Sequence, residues 1–307
     1  MKTVKWLAPV LLCLSCNKMG HIRTSAEPVD YRISSNDVES FENQIQVYKH
    51  SYRGVESHYR LLAPKAVTAK THPILIFFHG NLGSNFGPAS ISPARILANS
   101  GKSAGASGTG QSLPTLDQIL AESDSSGFWQ QFALLAILTP TDSDREVKAG
   151  RVITWGSVSS PLSKIPTQQL DFNADYAHDL IEKIIADHNI DRSQIYLVGQ
   201  SGGSLFLTNT FIPKYATTYS GGAVLLCGGE APRSEYEAKL TSEFASRFQL
   251  HFHTTSNESE HIKPLLESAH QNYSKLWSGA RVAPTIEVDG NGKHCLFESG
   301  SQPTIVR

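Results

Sequence analysis

Serine, histidine and acidic residues of this chain stand in contexts that can join into a nucleophilic relay. Gly199-Gln200-Ser201-Gly202-Gly203 places a serine among glycines, the form of a tight turn from a strand into a helix. Such a turn exposes the hydroxyl and points the helix N-terminus at a developing oxyanion. Its backbone is strained and crowded, so larger flanking side chains would clash. The same pattern recurs at Gly101-Lys102-Ser103-Ala104-Gly105, inside a Gly/Ser/Ala-rich stretch with no strand before it. Ser201 instead follows the apolar run Ile195-Tyr196-Leu197-Val198 and precedes an apolar helical stretch. Context therefore selects Ser201 and rejects Ser103. Nor is Gly101-Lys102-Ser103 a phosphate loop, because Ile96 stands where the first glycine is needed.

A serine nucleophile needs a base and a place for the oxyanion. The apolar run at 74–78 ends in His79-Gly80-Asn81-Leu82-Gly83, which nominates the backbone amides of Asn81 and Gly202 as oxyanion donors. Gly80 lets the chain approach closely, and His79 is expected to fix that loop rather than to do chemistry. Near the C-terminus, Asp289-Gly290-Asn291-Gly292-Lys293-His294 puts a histidine on a glycine-rich segment after the last strand. There an imidazole can reach the serine oxygen as general base, so His294 is the candidate. The remaining histidines, of twelve in all, look bland. His251 and His253 share one strand face and invite a metal, but no third ligand has suitable sequence spacing, so packing or cleft lining is expected. No metal or cofactor is expected.

The elements that must position these residues follow from periodicity. Two half-buried strands lie near 45–47 and 55–61, joined by a turn at Arg53-Gly54. Continuous apolar runs at 74–78, 132–138, 195–198 and 223–226 read as strands buried on both faces. Further strands are expected at 250–253 and 285–288. Ala177, Leu180, Ile181, Ile184 and Ile185 have the spacing of an amphipathic helix over 175–188. Other helices are expected over 204–215, 234–248 and 261–277. Alternation of this kind predicts an α/β fold with a mostly parallel central sheet and helices on both faces. Residues 84–130 interrupt the rhythm and read as an insertion, either a surface excursion or a wall of the substrate cleft.

Bulk properties narrow the class. The chain has 307 residues, 40% of them hydrophobic, with 27 basic against 28 acidic side chains. One large domain fits that length, and the balanced charge argues against nucleic acid. Lys2 and Lys5 precede a short apolar run from Trp6 to Leu14, the size of a signal peptide and too short for a membrane span. Residues 1–16 are thus expected to direct export, with Ser15-Cys16 offering lipid attachment and membrane anchoring at Cys16. Residues 17–40 read as a linker and 41–307 as the catalytic domain. Of four cysteines, the leader holds two. Cys227 and Cys295 are expected to stay reduced, since one strand separates theirs and strand axes would then be about 9–10 Å apart.

The segment DYAHDLIEKIIADHNIDRSQIYLVGQSGG (175–203) resembles the helix-strand-elbow core of the polyhydroxybutyrate depolymerase and feruloyl esterase group. HGN (79–81) and GKHC (292–295) are similar to the oxyanion and histidine motifs of that group, and the resemblance spans roughly residues 45 to 300. It implies an α/β-hydrolase fold and ester hydrolysis through an acyl-enzyme, acting on extracellular polyesters or on acyl groups of plant polysaccharides. The chain departs from the group after LHFH (250–253). Where the group shows an aspartate, this sequence reads Thr254-Thr255-Ser256-Asn257-Glu258-Ser259-Glu260. Glu258 is the expected triad acid, its extra methylene making up a one-residue offset. Glu260, Glu230 and Asp289 stay open as alternatives, and Asn257 carries no charge.

The expected function is an exported serine carboxylic ester hydrolase with a Ser201–His294–Glu258 triad and an ester as its partner. A serine peptidase on the same fold would use the same residues. A non-catalytic surface lipoprotein that keeps the fold for binding is the rival from another class, and ester turnover lost in Ser201→Ala separates the two.

Overall fold

The structure, a computed structural model, describes residues 46–62, 71–80, 111–112, 132–140, 154–161, 164–294 and 296–297. In chain order the strands are β1 (Gln46–Tyr52), β2 (Val55–Leu62), β3 (His72–Phe78), β4 (Gln111–Ser112), β5 (Ala133–Ile137), β6 (Ile190–Gln200), β7 (Gly221–Leu226), β8 (Phe248–Asn257), β9 (Thr285–Lys293) and β10 (Leu296–Phe297). The helices are α1 (Thr167–Asp187), α2 (Gly202–Phe206), α3 (Ile212–Lys214), α4 (Ser242–Arg247) and α5 (Lys263–Leu276).

Eight strands form one sheet in the order β1-β2-β5-β3-β6-β7-β8-β9. The β1–β2 hairpin turns at Arg53 and Gly54, both at positive φ, and β2 pairs antiparallel with β5. Every later pair is parallel. Parallel strands need crossovers and are buried on both faces. Ile74, Ile76 and Phe78 of β3, with Ile195 and Leu197 of β6, accordingly sit in the core. Helix α1 buries Leu170, Ala174, Ala177, Leu180, Ile181 and Ile184 against the sheet. It starts a full two turns earlier than its strongest stripe, because Leu170 and Ala174 continue the stripe through a polar stretch and Pro166 opens the helix.

Two expected helices are broken. The one after Ser201 is α2, then a π-helical turn over Leu207–Phe211, then α3. That over 234–248 splits into a 3₁₀ segment, Ser234–Lys239, and α4, whose cap is Thr241 accepting from Phe244 N–H. The strands run longer than their apolar cores. β8 extends to Asn257 and β9 to Lys293, so each delivers its next residue, Glu258 or His294, straight from the sheet.

Of the insertion at 84–130, the described part is β4, which pairs antiparallel with β10 just after His294. The leader, the linker, Cys16 and Ser103 lie outside the described residues.

Candidate active site

Strand β6 ends at Gln200 and α2 begins at Gly202, leaving Ser201 alone at the corner with φ 48° and ψ −112°. A non-glycine residue there costs on the order of 1–3 kcal/mol, held in place by its surroundings. Ser201 N–H donates to Leu226 O at 2.8 Å and Ser201 O accepts from Leu205 N–H at 3.0 Å. The flanking glycines are demanded by packing rather than by dihedral angle. A Cβ on Gly199 would lie 2.8 Å from the Ser204 backbone, and one on Gly203 would lie 2.2 Å from Phe78 O. Helix α2 thus presses onto the end of β3, which only glycine permits.

His294 occupies the turn after β9 and brings Nε2 to 2.9 Å from Ser201 Oγ. Its Nδ1 donates to Glu258 Oε1. Because a carboxylate only accepts, the proton sits on Nδ1 and the Nε2 lone pair receives the serine hydroxyl. Glu258 is buried and its carboxylate is well held. Oε1 also accepts from Ser259 N–H at 2.7 Å, and Oε2 from Thr254 Oγ1–H at 3.2 Å. The His294 side chain remains 33% exposed, so the relay is buried at its acid end and open at its serine end. Such a chain can take the serine proton as oxygen attacks a carbonyl, then return it to a leaving group.

The other expected residues separate clearly. Gly202 is buried as the first residue of α2, and Asn81 lies outside the described residues, as does the Asp289 side chain. Glu260 is 88% exposed and faces His261, away from the relay. Glu230 is buried but accepts from Ser157 Oγ–H at 2.7 Å and from Val158 N–H at 3.3 Å, while its own N–H donates to Thr208 Oγ1. It anchors the segment around 157, whose role the sequence did not betray because the contact spans 73 positions.

His79 is fully buried and tethers the loop. Its Nε2 accepts from Thr139 N–H at 3.3 Å, which leaves Nδ1 to donate to Gly80 O at 2.8 Å. Burial pushes its pKa down to about 4. Thus the imidazole is a neutral brace, linking the ends of β3 and β5.

One expectation fails, and a second meets a neighbour that sequence spacing did not show. Cys227 is disulfide-bonded, not reduced, and its partner lies outside the described residues. The chain leaves β7 at Leu226 and Cys227 takes φ 47°, so the strand spacing that argued against a disulfide no longer applies. His251 and His253 also do have a third potential ligand. Glu287 of β9 stands opposite His253 in register, and the three ligand atoms lie within 4.8 Å of one another. Sequence spacing cannot reveal a partner supplied by a neighbouring strand.

No family model matches the chain, and no curated protein does either. Solved structures do match. A thermostable esterase superposes with a TM-score of 0.52 at 16% identity, over 84% of this chain and 56% of that one. The feruloyl esterase module of Clostridium thermocellum gives 0.49 at 12%, covering 91% and 90%. A prolyl endopeptidase gives 0.49 at 12%, covering 82% and 35%. The chain therefore spans little more than half the length of the thermostable esterase it matches. At these identities the likeness is one of fold. The chain has the α/β-hydrolase fold, a mostly parallel sheet flanked by helices.

Proposed function

We propose that this α/β-hydrolase domain is a serine carboxylic ester hydrolase working through an acyl-enzyme. Ser201 attacks the ester carbonyl. His294 takes its proton and passes it to the departing alkoxide, leaving an acyl-serine. Water then repeats the cycle and releases the acid. Glu258 holds the imidazole in its Nδ1–H tautomer and balances the imidazolium as it forms. The amides of Gly202 and Asn81 stabilise the tetrahedral oxyanion.

The observation that carries this reading is the hydrogen-bonded chain from Ser201 through His294 to Glu258, set on a strained corner that exposes the serine. The fold shared with a thermostable esterase supports hydrolysis of an ester. The resemblance of the 175–203 segment supports an extracellular polyester or an acylated polysaccharide as the substrate class. Export belongs to the same proposal, with lipid attachment at Cys16. It rests on the charged and apolar leader and is supported by the disulfide at Cys227, since such bonds persist in oxidising compartments.

Hydrolysis of p-nitrophenyl esters of increasing acyl length tests the activity. Turnover by the wild-type protein that disappears in Ser201→Ala is expected. Equal turnover by the two proteins would overturn the assignment.

A further inference from the structure

Strand β9 closes the sheet beyond β8 and carries Glu287 on the face that β8 fills with His251 and His253. In the parallel register His253 is the partner of Glu287 and His251 the partner of Thr285. Alternation along each strand puts these side chains on one face. Glu287 Oε2 lies 3.6 Å from His251 Nε2 and 3.5 Å from His253 Nδ1. Ligands bound at ~2.1 Å in a tetrahedron stand about 3.4 Å apart, so both carboxylate–imidazole separations are those of a zinc coordination sphere. The two imidazole nitrogens lie within 4.8 Å of each other, a gap that a modest turn of the partly exposed His251 side chain closes.

The surroundings fit a metal as well as the distances do. His251 Nδ1 is 2.7 Å from Thr285 Oγ1. Donation of Nδ1–H to that hydroxyl leaves the Nε2 lone pair facing a carboxylate oxygen. A ligating histidine is held in this way, by a partner on its other nitrogen that fixes tautomer and ring orientation. His253 is fully buried, whereas Glu287 is 43% exposed, so the trio has a dry side and a wet side. Water can complete the fourth position. Among the described residues, this is the one such group of potential ligands.

We propose that His251, His253 and Glu287 form a zinc site that clamps β9 to β8. Two imidazoles and one carboxylate with an open position suit Zn²⁺ among the divalent ions. The consequence of the clamp is positional, because β8 delivers Glu258 and β9 delivers His294.

The test uses the full mature protein, stripped with a chelator and titrated with Zn²⁺ against a chromogenic competitor. One equivalent is expected to bind, with affinity at least ~100-fold weaker in His251→Ala and in Glu287→Gln, and ~10-fold or more weaker in Thr285→Val. Co²⁺ in place of zinc should give the visible bands of a tetrahedral site, absent in Glu287→Gln. Zinc should raise the melting temperature of wild type and not of Glu287→Gln, whose exposed position keeps the fold intact by circular dichroism. Absence of stoichiometric binding, or wild-type affinity in both His251→Ala and Glu287→Gln, would overturn the proposal.

Discussion

Replacing Glu258 by glutamine removes a charge while nearly preserving shape. The amide oxygen can take the place of Oε1, keeping the bonds from His294 Nδ1 and Ser259 N–H, while the Thr254 hydroxyl can rotate to accept from the new NH₂. What is lost is the attraction between a buried carboxylate and the imidazolium that forms as Ser201 attacks. For opposite charges about 4 Å apart at an effective dielectric near 20, that attraction is ~4 kcal/mol. In rate this amounts to about a thousandfold. We therefore expect Glu258→Gln to lower kcat/KM on a short p-nitrophenyl ester by roughly three orders of magnitude, mostly in kcat, with thermal melting little changed. Glu258→Asp keeps the charge but draws it back by a methylene, and should fall between. Near-wild-type turnover in a folded Glu258→Gln, or an equal loss in Glu260→Gln, would refute the reasoning.

Glu230→Gln should lower the melting temperature, since it weakens the anchor on Ser157 and Val158, yet leave kcat/KM within a few-fold; a hundredfold loss would mean that Glu230 serves the relay. Gly203→Ala forces a methyl to within 2.2 Å of Phe78 O, so calorimetry should show destabilisation of at least ~1–3 kcal/mol, and an unchanged melting point would contradict the close packing of α2 on β3. His79 has a folded pKa of about 4, below the usual value near 6.5. The unfolded chain therefore binds more protons between these values, and this contribution, on the order of 3 kcal/mol, is full above pH ~6.5 and lost as pH falls toward 4. His79→Gln should flatten the melting temperature against pH in that window, and an unaltered slope would refute the assignment. Thiol alkylation before and after reduction should find Cys227 blocked in the native protein and free after reduction; alkylation without reductant would contradict the disulfide.

Features that depend on local order were legible in the sequence. The buried run ending in Gly199-Gln200-Ser201-Gly202-Gly203 fixed both the strand and its corner, because the glycines report contacts that any side chain would violate. The β1–β2 hairpin was equally plain at Arg53-Gly54. Features made by distant segments were not. The partner of Glu230 lies in a stretch with no periodicity, and Glu287 meets His251 and His253 only through the β8–β9 register. Cys227 illustrates a third limit, since strand spacing says little about a residue that has already turned out of its strand. The acid was the hardest site residue to choose, because two acids, Glu258 and Glu260, follow the end of β8 and only the reach of β8 to Asn257 sets Glu258 against His294.

The central claim is that Ser201 is an activated nucleophile. Incubation of the native protein with a fluorophosphonate, followed by proteolysis and mass mapping, tests it directly. The account predicts one adduct, on the peptide carrying Ser201, formed slowly or not at all in His294→Ala or after denaturation. An adduct on Ser103, or none on the folded wild-type protein, would contradict it.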